Sequence, residues 1–123
     1  VNHTRPKNLN LLTIRFPLPA IISILHRVSG AFLFLLIPFI LWALQASLTE
    51  SGFESMQSAL DSWFAKLIFW VLFVPFCFHL IAGVRHLLSD IHIGDTLKRG
   101  NQTAKLVIVI SGILILLAGI WVW

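Results

Sequence analysis

A chain of 123 residues that is 58% hydrophobic and only 11% charged, with a mean hydropathy of +0.90, is not a soluble domain, in which about a quarter of the residues are charged. Its single cysteine, Cys77, excludes an internal disulfide and a two-cysteine metal site. The net charge of +4 points to nucleic acid only if the basic residues form a patch; here they flank apolar runs, and membrane topology accounts for them.

Those runs predict spanning helices over approximately 21–48, 63–88 and 105–123. Each is long enough, or nearly so, for a bilayer core of about 30 Å. The runs are continuous rather than alternating, which argues against a barrel. The expected fold class is an all-α membrane protein, with residues 1–123 forming a single transmembrane anchor domain. Three helices are few for a self-sufficient core, so the domain is expected to be part of a heteromeric helical bundle.

The segment from Val1 to Pro19 is polar and basic, with Arg5, Lys7 and Arg15. No short apolar core with a small-residue cleavage site follows these charges, so it is not read as a signal peptide. Pro17 and Pro19 interrupt any earlier helix and place the start of the first span near Ala20. In its opening turns Ser23, His26, Arg27 and Gly30 recur at i, i+3, i+4 and i+7 and share a face. An arginine deep in a bilayer costs about 2.5–3.5 kcal/mol, so Arg27 either has a partner or snorkels to the interface. Pro38 is expected to bend this helix.

A first loop is predicted over Thr49–Ser62, with Glu50, Glu54 and Asp61 and no basic residue. The second span contains Pro75, which frees a carbonyl one turn earlier and favours a kink before His79. Along its second half His79, Gly83, His86 and Asp90 fall on one polar stripe. Gly83 removes a side chain one turn from His79, so a flat ligand could lie close to the backbone there. A histidine in an apolar helix is also commonly a hydrogen-bonded core residue, and the stripe alone does not separate the two roles.

The second loop, Ser89–Ala104, carries Lys98 and Arg99. Eight of the nine basic residues then lie on one side and Lys66 alone on the other. The positive-inside rule places the N-terminus in the cytoplasm or matrix and the C-terminus outside, with Trp63, Trp121 and Trp123 in the outer aromatic belt. In the third span Ser111, Gly112, Ala118 and Gly119 form a small-residue strip expected to pack helices.

His79 lies six residues, about 9 Å, outward from Arg85, and so within the inner half of the bilayer. Ser23, His26, Arg27, Arg85 and His86 are expected nearer the inner surface. A cofactor with an apolar ring and anionic substituents suits this gradient, and haem has that shape: imidazole ligates its iron, and arginine pairs with its propionates. One histidine fills one axial position, so a partner subunit is the simpler source of a second ligand. The head group of a quinone suits Ser23 and Arg27, one turn apart at the interface.

Ser23-Ile24-Leu25-His26-Arg27-Val28-Ser29-Gly30 resembles the S-x-x-H-R-x-S-G signature of the larger, cytochrome b-type membrane anchor of succinate dehydrogenase, and His79 to His86, with Asp90 following, resembles its H-x-x-x-G-x-R-H signature. Arg5-Pro6, Asn8-Leu9 and Thr13 to Pro17 resemble the N-terminal segment of the bacterial form. The resemblance implies a flavoprotein, an iron–sulfur subunit and a second small anchor as partners, with ubiquinone as substrate and one haem b shared between the anchors. It implies His79 as the axial metal ligand, Ser23 and Arg27 at the quinone, and His26, Arg27, Arg85 and His86 near the haem. It also implies a bacterial inner (cytoplasmic) membrane and no independent activity of this chain. A quinol-fumarate reductase anchor and a purely structural scaffold are the alternatives.

Overall fold

The computed structural model describes residue 10 and residues 13–93 and 96–123. The part of the N-terminal resemblance carried by Arg5, Pro6, Asn8 and Leu9, and the charges of Arg5 and Lys7, lie outside the described residues. Four helices follow in order: α1 (Leu18–Ala46), α2 (Glu50–Leu60), α3 (Trp63–Asp90) and α4 (Leu97–Val122). Helices α1, α3 and α4 are each long and apolar enough to cross a membrane. The chain is a multi-pass helical membrane protein.

Local chemistry sets where each helix begins and ends. Pro19 sits in the first turn of α1, where its missing N–H has no intrahelical acceptor to lose; the helix therefore starts two residues earlier than Ala20. The predicted first loop is instead largely the helix α2. Thr49 caps it by accepting from the Gly52 N–H at 3.2 Å, and Glu50 lies in the first turn, where a carboxylate meets the positive end of the helix dipole. Phe53, Met56 and Leu60 give this helix a one-sided apolar face. Helix α4 begins well before residue 105, because Thr96 accepts from the Arg99 N–H at 3.3 Å and caps a first turn made of Leu97, Lys98 and Arg99.

At its C-terminal end α3 closes with His92 in the left-handed region, φ 63°. The His92 N–H donates to the Ser89 carbonyl and the Ile93 N–H to the Leu88 carbonyl, both at 3.0 Å. These two bonds satisfy carbonyls at the helix end in the Schellman pattern. Helix α3 runs on through Pro75 as one helix, as α1 does through Pro38.

Helix α3 is central and packs on both α1 and α4. The buried cluster is small and lies toward the start of α1 and the end of α3: Ile22, Ala82, Ala104 and Val107, with Leu18, Phe78 and Ile81 against it. Ala82 and Ala104 let the backbones approach. Most large apolar side chains face outward, among them Phe34 at 70% exposure and Ile120 at 76%, as suits lipid or a partner chain. Of the predicted small-residue strip, Ser111 is buried and Gly119 lies under Trp70, whereas Gly112 faces open space.

Two polar contacts hold the α3–α4 hairpin. In the first half of α3 the Trp70 indole N–H donates to the Ile115 carbonyl at 2.8 Å. A Cβ on Gly119 would lie 3.0 Å from that indole nitrogen, so the glycine makes room for the bond. Near the end of α3 Arg85 donates from Nε to Thr103 Oγ1 at 3.1 Å and from Nη2 to the Gly100 carbonyl at 3.4 Å. Replacing Trp70 by Phe keeps an aromatic ring and deletes the donor. A destabilisation of about 1 kcal/mol is expected, read as an earlier thermal midpoint of the purified complex in detergent; an unchanged midpoint would mean that the bond contributes nothing.

Candidate functional site

Helices α1 and α3 run in opposite directions, so the early turns of α1 meet the late turns of α3. Across this seam the imidazoles of His26 and His79 stack, with ring centroids 4.2 Å apart and planes 20° from parallel. His86 lies one step further along, 6.0 Å from His26 between centroids. The two signature segments, 53 residues apart in sequence at His26 and His79, thus form one site.

Each stacked ring rests on a glycine of the opposite helix. A Cβ on Gly30 of α1 would stand 2.8 Å from His79 Cε1, and one on Gly83 of α3 would stand 3.3 Å from His26 Nε2. The space at Gly83 was expected to admit a flat ligand; in the structure the His26 ring lies there. His26 was expected nearer the inner surface than His79; in the structure its ring stacks directly against that of His79. Helix packing brings the two to one level.

His79 is further fixed through Nδ1, which lies 3.0 Å from Ser29 Oγ and 3.1 Å from the His26 carbonyl oxygen. The Ser29 hydroxyl itself donates to the His26 carbonyl at 2.8 Å. Ser29 is buried, at 7% exposure, while His26 and His79 are half-buried and Arg27, His86 and Asp90 exposed. Ser23 is half-buried one turn before Arg27. Arg85 turns toward α4, with two of its donors on Thr103 and Gly100. Of the six expected site residues, the seam therefore brings His26, His79 and His86 together; Ser23 and Arg27 lie on the adjoining face of α1, and Arg85 braces the hairpin behind.

Beside the histidines, an apolar groove of about 390 Å³ runs between α1 and α3, lined by Val28, Ser29, Phe32, Val74 and Phe78 among others. Among the described residues no cluster of three or more His, Cys, Asp or Glu side chains forms a metal cage. The donor set instead fits a flat apolar group that brings most of its own metal ligands, with one imidazole offered from the side. The stacked pair does not sandwich a metal. Imidazole lone pairs lie in the ring plane, so nearly parallel stacked rings direct their nitrogens alongside rather than toward each other.

Ser29 and Gly30 belong to the first signature, yet sequence reasoning assigned Ser29 no role and gave Gly30 only a place on the shared face. The available signal was spacing: Ser29 follows His26 by three residues, within reach of its carbonyl, and a glycine beside it marks a close approach.

The fold and seam define a class: a small multi-pass membrane subunit with an imidazole-rich site between two of its spanning helices. The family model described as "Succinate dehydrogenase/Fumarate reductase transmembrane subunit" matches residues 1–118. The chain is 39% identical over its whole length to all of the succinate dehydrogenase cytochrome b556 subunit of Coxiella burnetii. It is 32% identical to that of Paracoccus denitrificans over 92% of this chain and 88% of the relative, and 30% identical to that of Rickettsia prowazekii over 99% and 94%. The chain belongs to the succinate dehydrogenase/fumarate reductase transmembrane subunit family.

Two glycines test the packing at the seam. Gly30→Ala sets a methyl against the His79 ring and is expected to cost about 1–3 kcal/mol. Gly112→Ala, in open space within α4, is expected to be neutral or to stabilise by up to about 1 kcal/mol through helix propensity. Thermal midpoints of the two purified variants should shift in opposite directions, or only the first should shift; equal shifts would remove the close contact as the cause.

Proposed function

We propose that this chain is a membrane anchor of a succinate:quinone oxidoreductase, holding a flavoprotein and an iron–sulfur subunit at the membrane, sharing one haem b with a second small anchor and forming part of the ubiquinone-reduction site. The observation that carries the reading is the His26–His79 contact, which joins both signature segments on an outward-facing seam beside an apolar groove. Family membership and relatives named cytochrome b556 subunits of succinate dehydrogenase support it. Those names also favour succinate oxidation over the fumarate reductase direction.

In this reading His79 holds the cofactor by one ring nitrogen, with Nδ1 already engaged. His26, His86 and Arg27 present positive charge or N–H donors to its anionic edge, and Arg85 adds donors beyond the two bound to α4. Pairing guanidinium with carboxylate resolves the cost of burying either. When bound, haem b supplies a one-electron carrier within the membrane. The other anchor would supply any further protein ligand that the group takes.

Ser23 and Arg27 act on the quinone. The Ser23 hydroxyl and the Arg27 guanidinium, one turn apart on α1, donate hydrogen bonds to the carbonyl oxygens and favour the charge that gathers there as electrons arrive. Reduction to the quinol takes two electrons, supplied from succinate through the partner subunits, and two protons. A site at the interfacial end of α1 lets the isoprenoid tail remain in lipid while protons reach the head group from water.

Six described basic residues, Arg15, Arg27, Arg85, Lys98, Arg99 and Lys105, lie toward the end opposite Lys66. Such an asymmetry supports an orientation with the N-terminus cytoplasmic and the C-terminus periplasmic, and the likeness to bacterial relatives favours a bacterial inner membrane.

Two experiments test the proposal. A reduced-minus-oxidised spectrum of the complex purified through this chain is expected to show a low-spin b-type signal that His79→Ala abolishes or converts to another spin state. A native complex without the signal would leave His79 as a packing residue. Separately, Arg27→Ala is expected to lower quinone reduction about ten- to a hundredfold, the loss of a charged hydrogen bond, and Ser23→Ala about fivefold, while succinate oxidation by a soluble dye persists. Equal loss of both activities would point to failed assembly.

A further inference from the structure

His79 Nδ1 has two described neighbours within hydrogen-bond distance, the Ser29 hydroxyl and the His26 carbonyl oxygen. The Ser29 hydroxyl has one proton and places it on the His26 carbonyl at 2.8 Å. Its oxygen, 3.0 Å from Nδ1, is left only to accept. The His26 carbonyl oxygen, 3.1 Å from Nδ1, can do nothing else. With Nδ1 unprotonated, its lone pair would face that carbonyl oxygen in a half-buried site. With Nδ1 protonated, all three contacts are satisfied together.

We infer that Ser29 is a positioning residue that, with the His26 carbonyl, locks His79 in the tautomer bearing its proton on Nδ1, so that Nε2 presents its lone pair. The inference rests on the proposed role of His79 as haem ligand. It adds a lever on the iron: donation from Nδ1–H to two acceptors increases electron density on Nε2, which favours the ferric over the ferrous state and lowers the reduction potential. The steric part of the seat is Gly30, which allows the ring to lie where both acceptors reach it.

The test compares three variants in the complete purified complex. Ser29→Ala deletes the hydroxyl without adding bulk, while Ser29→Thr and Ser29→Val have nearly the same shape and differ in the hydroxyl. The readout is a potentiometric titration of the b-type absorbance with the ferric electron paramagnetic resonance spectrum, neither of which depends on turnover. In Ser29→Ala and Ser29→Val the haem reduction equilibrium is expected to shift three- to tenfold toward the ferrous form, tenfold corresponding to 59 mV for one electron, with a changed resonance spectrum; Ser29→Thr should remain close to the native value.

An unmoved potential in haem-loaded Ser29→Ala overturns the inference. So does a shift in Ser29→Thr equal to that in Ser29→Val, which would assign the effect to bulk. Loss of assembly in Ser29→Ala while Ser29→Thr assembles would make the hydroxyl a folding element only, and overturns it as well. A native complex without b-type absorbance fails one step earlier and removes the haem reading itself, so the two failures are distinguishable.

Discussion

Two imidazoles, each seated over a glycine of the opposite helix, determine how α1 and α3 meet. In a bilayer, apolar side chains gain little by leaving lipid for another helix, so association depends on close backbone approach and on polar groups that need partners. The seam supplies both. Gly30 and Gly83 give the approach, and Ser29, the His26 carbonyl and His79 give the polar contacts. Sliding one helix by a turn, about 5.4 Å, would set side chains where the glycines are and strand a buried hydroxyl.

The α3–α4 hairpin uses the same physics with different residues. Trp70 over Gly119 repeats the pairing of a ring with a glycine, and its N–H reaches a carbonyl of the facing helix. Arg85 does near the end of α3 what Trp70 does in its first half. Helix α3 thus holds α4 through Trp70 and Arg85, and α1 through His79 and Gly83. The residues that brace the fold and those that form the candidate site alternate along this helix, which explains why His79 can be held firmly on a surface with so little buried core.

The apolar runs made the three spans legible in sequence because twenty consecutive apolar residues have few alternatives to crossing a membrane. Helix ends were less legible. Composition marks where hydrocarbon begins, whereas Thr96 and the Leu97–Arg99 turn extend α4 into the polar zone, and α2 was hidden because its acidic and serine-rich sequence resembles a loop unless Thr49 is read as a cap. At the site, spacing along each helix grouped His26 with Gly30 and His79 with Gly83, and these four meet at the seam. What it could not supply was the relative level of two helices. Depth was counted from Arg85 alone, yet His26 lies eight residues inside the start of α1 and His79 eleven before the end of α3, a mismatch of about 4–5 Å that two side chains bridge.

The position of the seam bears on how such a chain exists in the membrane. His26 and His79 are half-buried and His86 and Arg27 exposed, so one side of the histidine row rests on the chain's own helices and the other is open. The stacked rings do not face each other across a metal, and the exposed Phe34, Trp42 and Ile120 belong to a surface that another chain or lipid must cover. On the proposed reading, a second anchor supplies both the missing cover and the opposing ligand. Binding free energy that requires two chains and a cofactor together stabilises only the assembled state. A seat such as Ser29 provides for His79 then has a role during assembly as well as in electron transfer: it presents a single tautomer, already oriented, before the partner arrives, so less ordering remains to oppose the association.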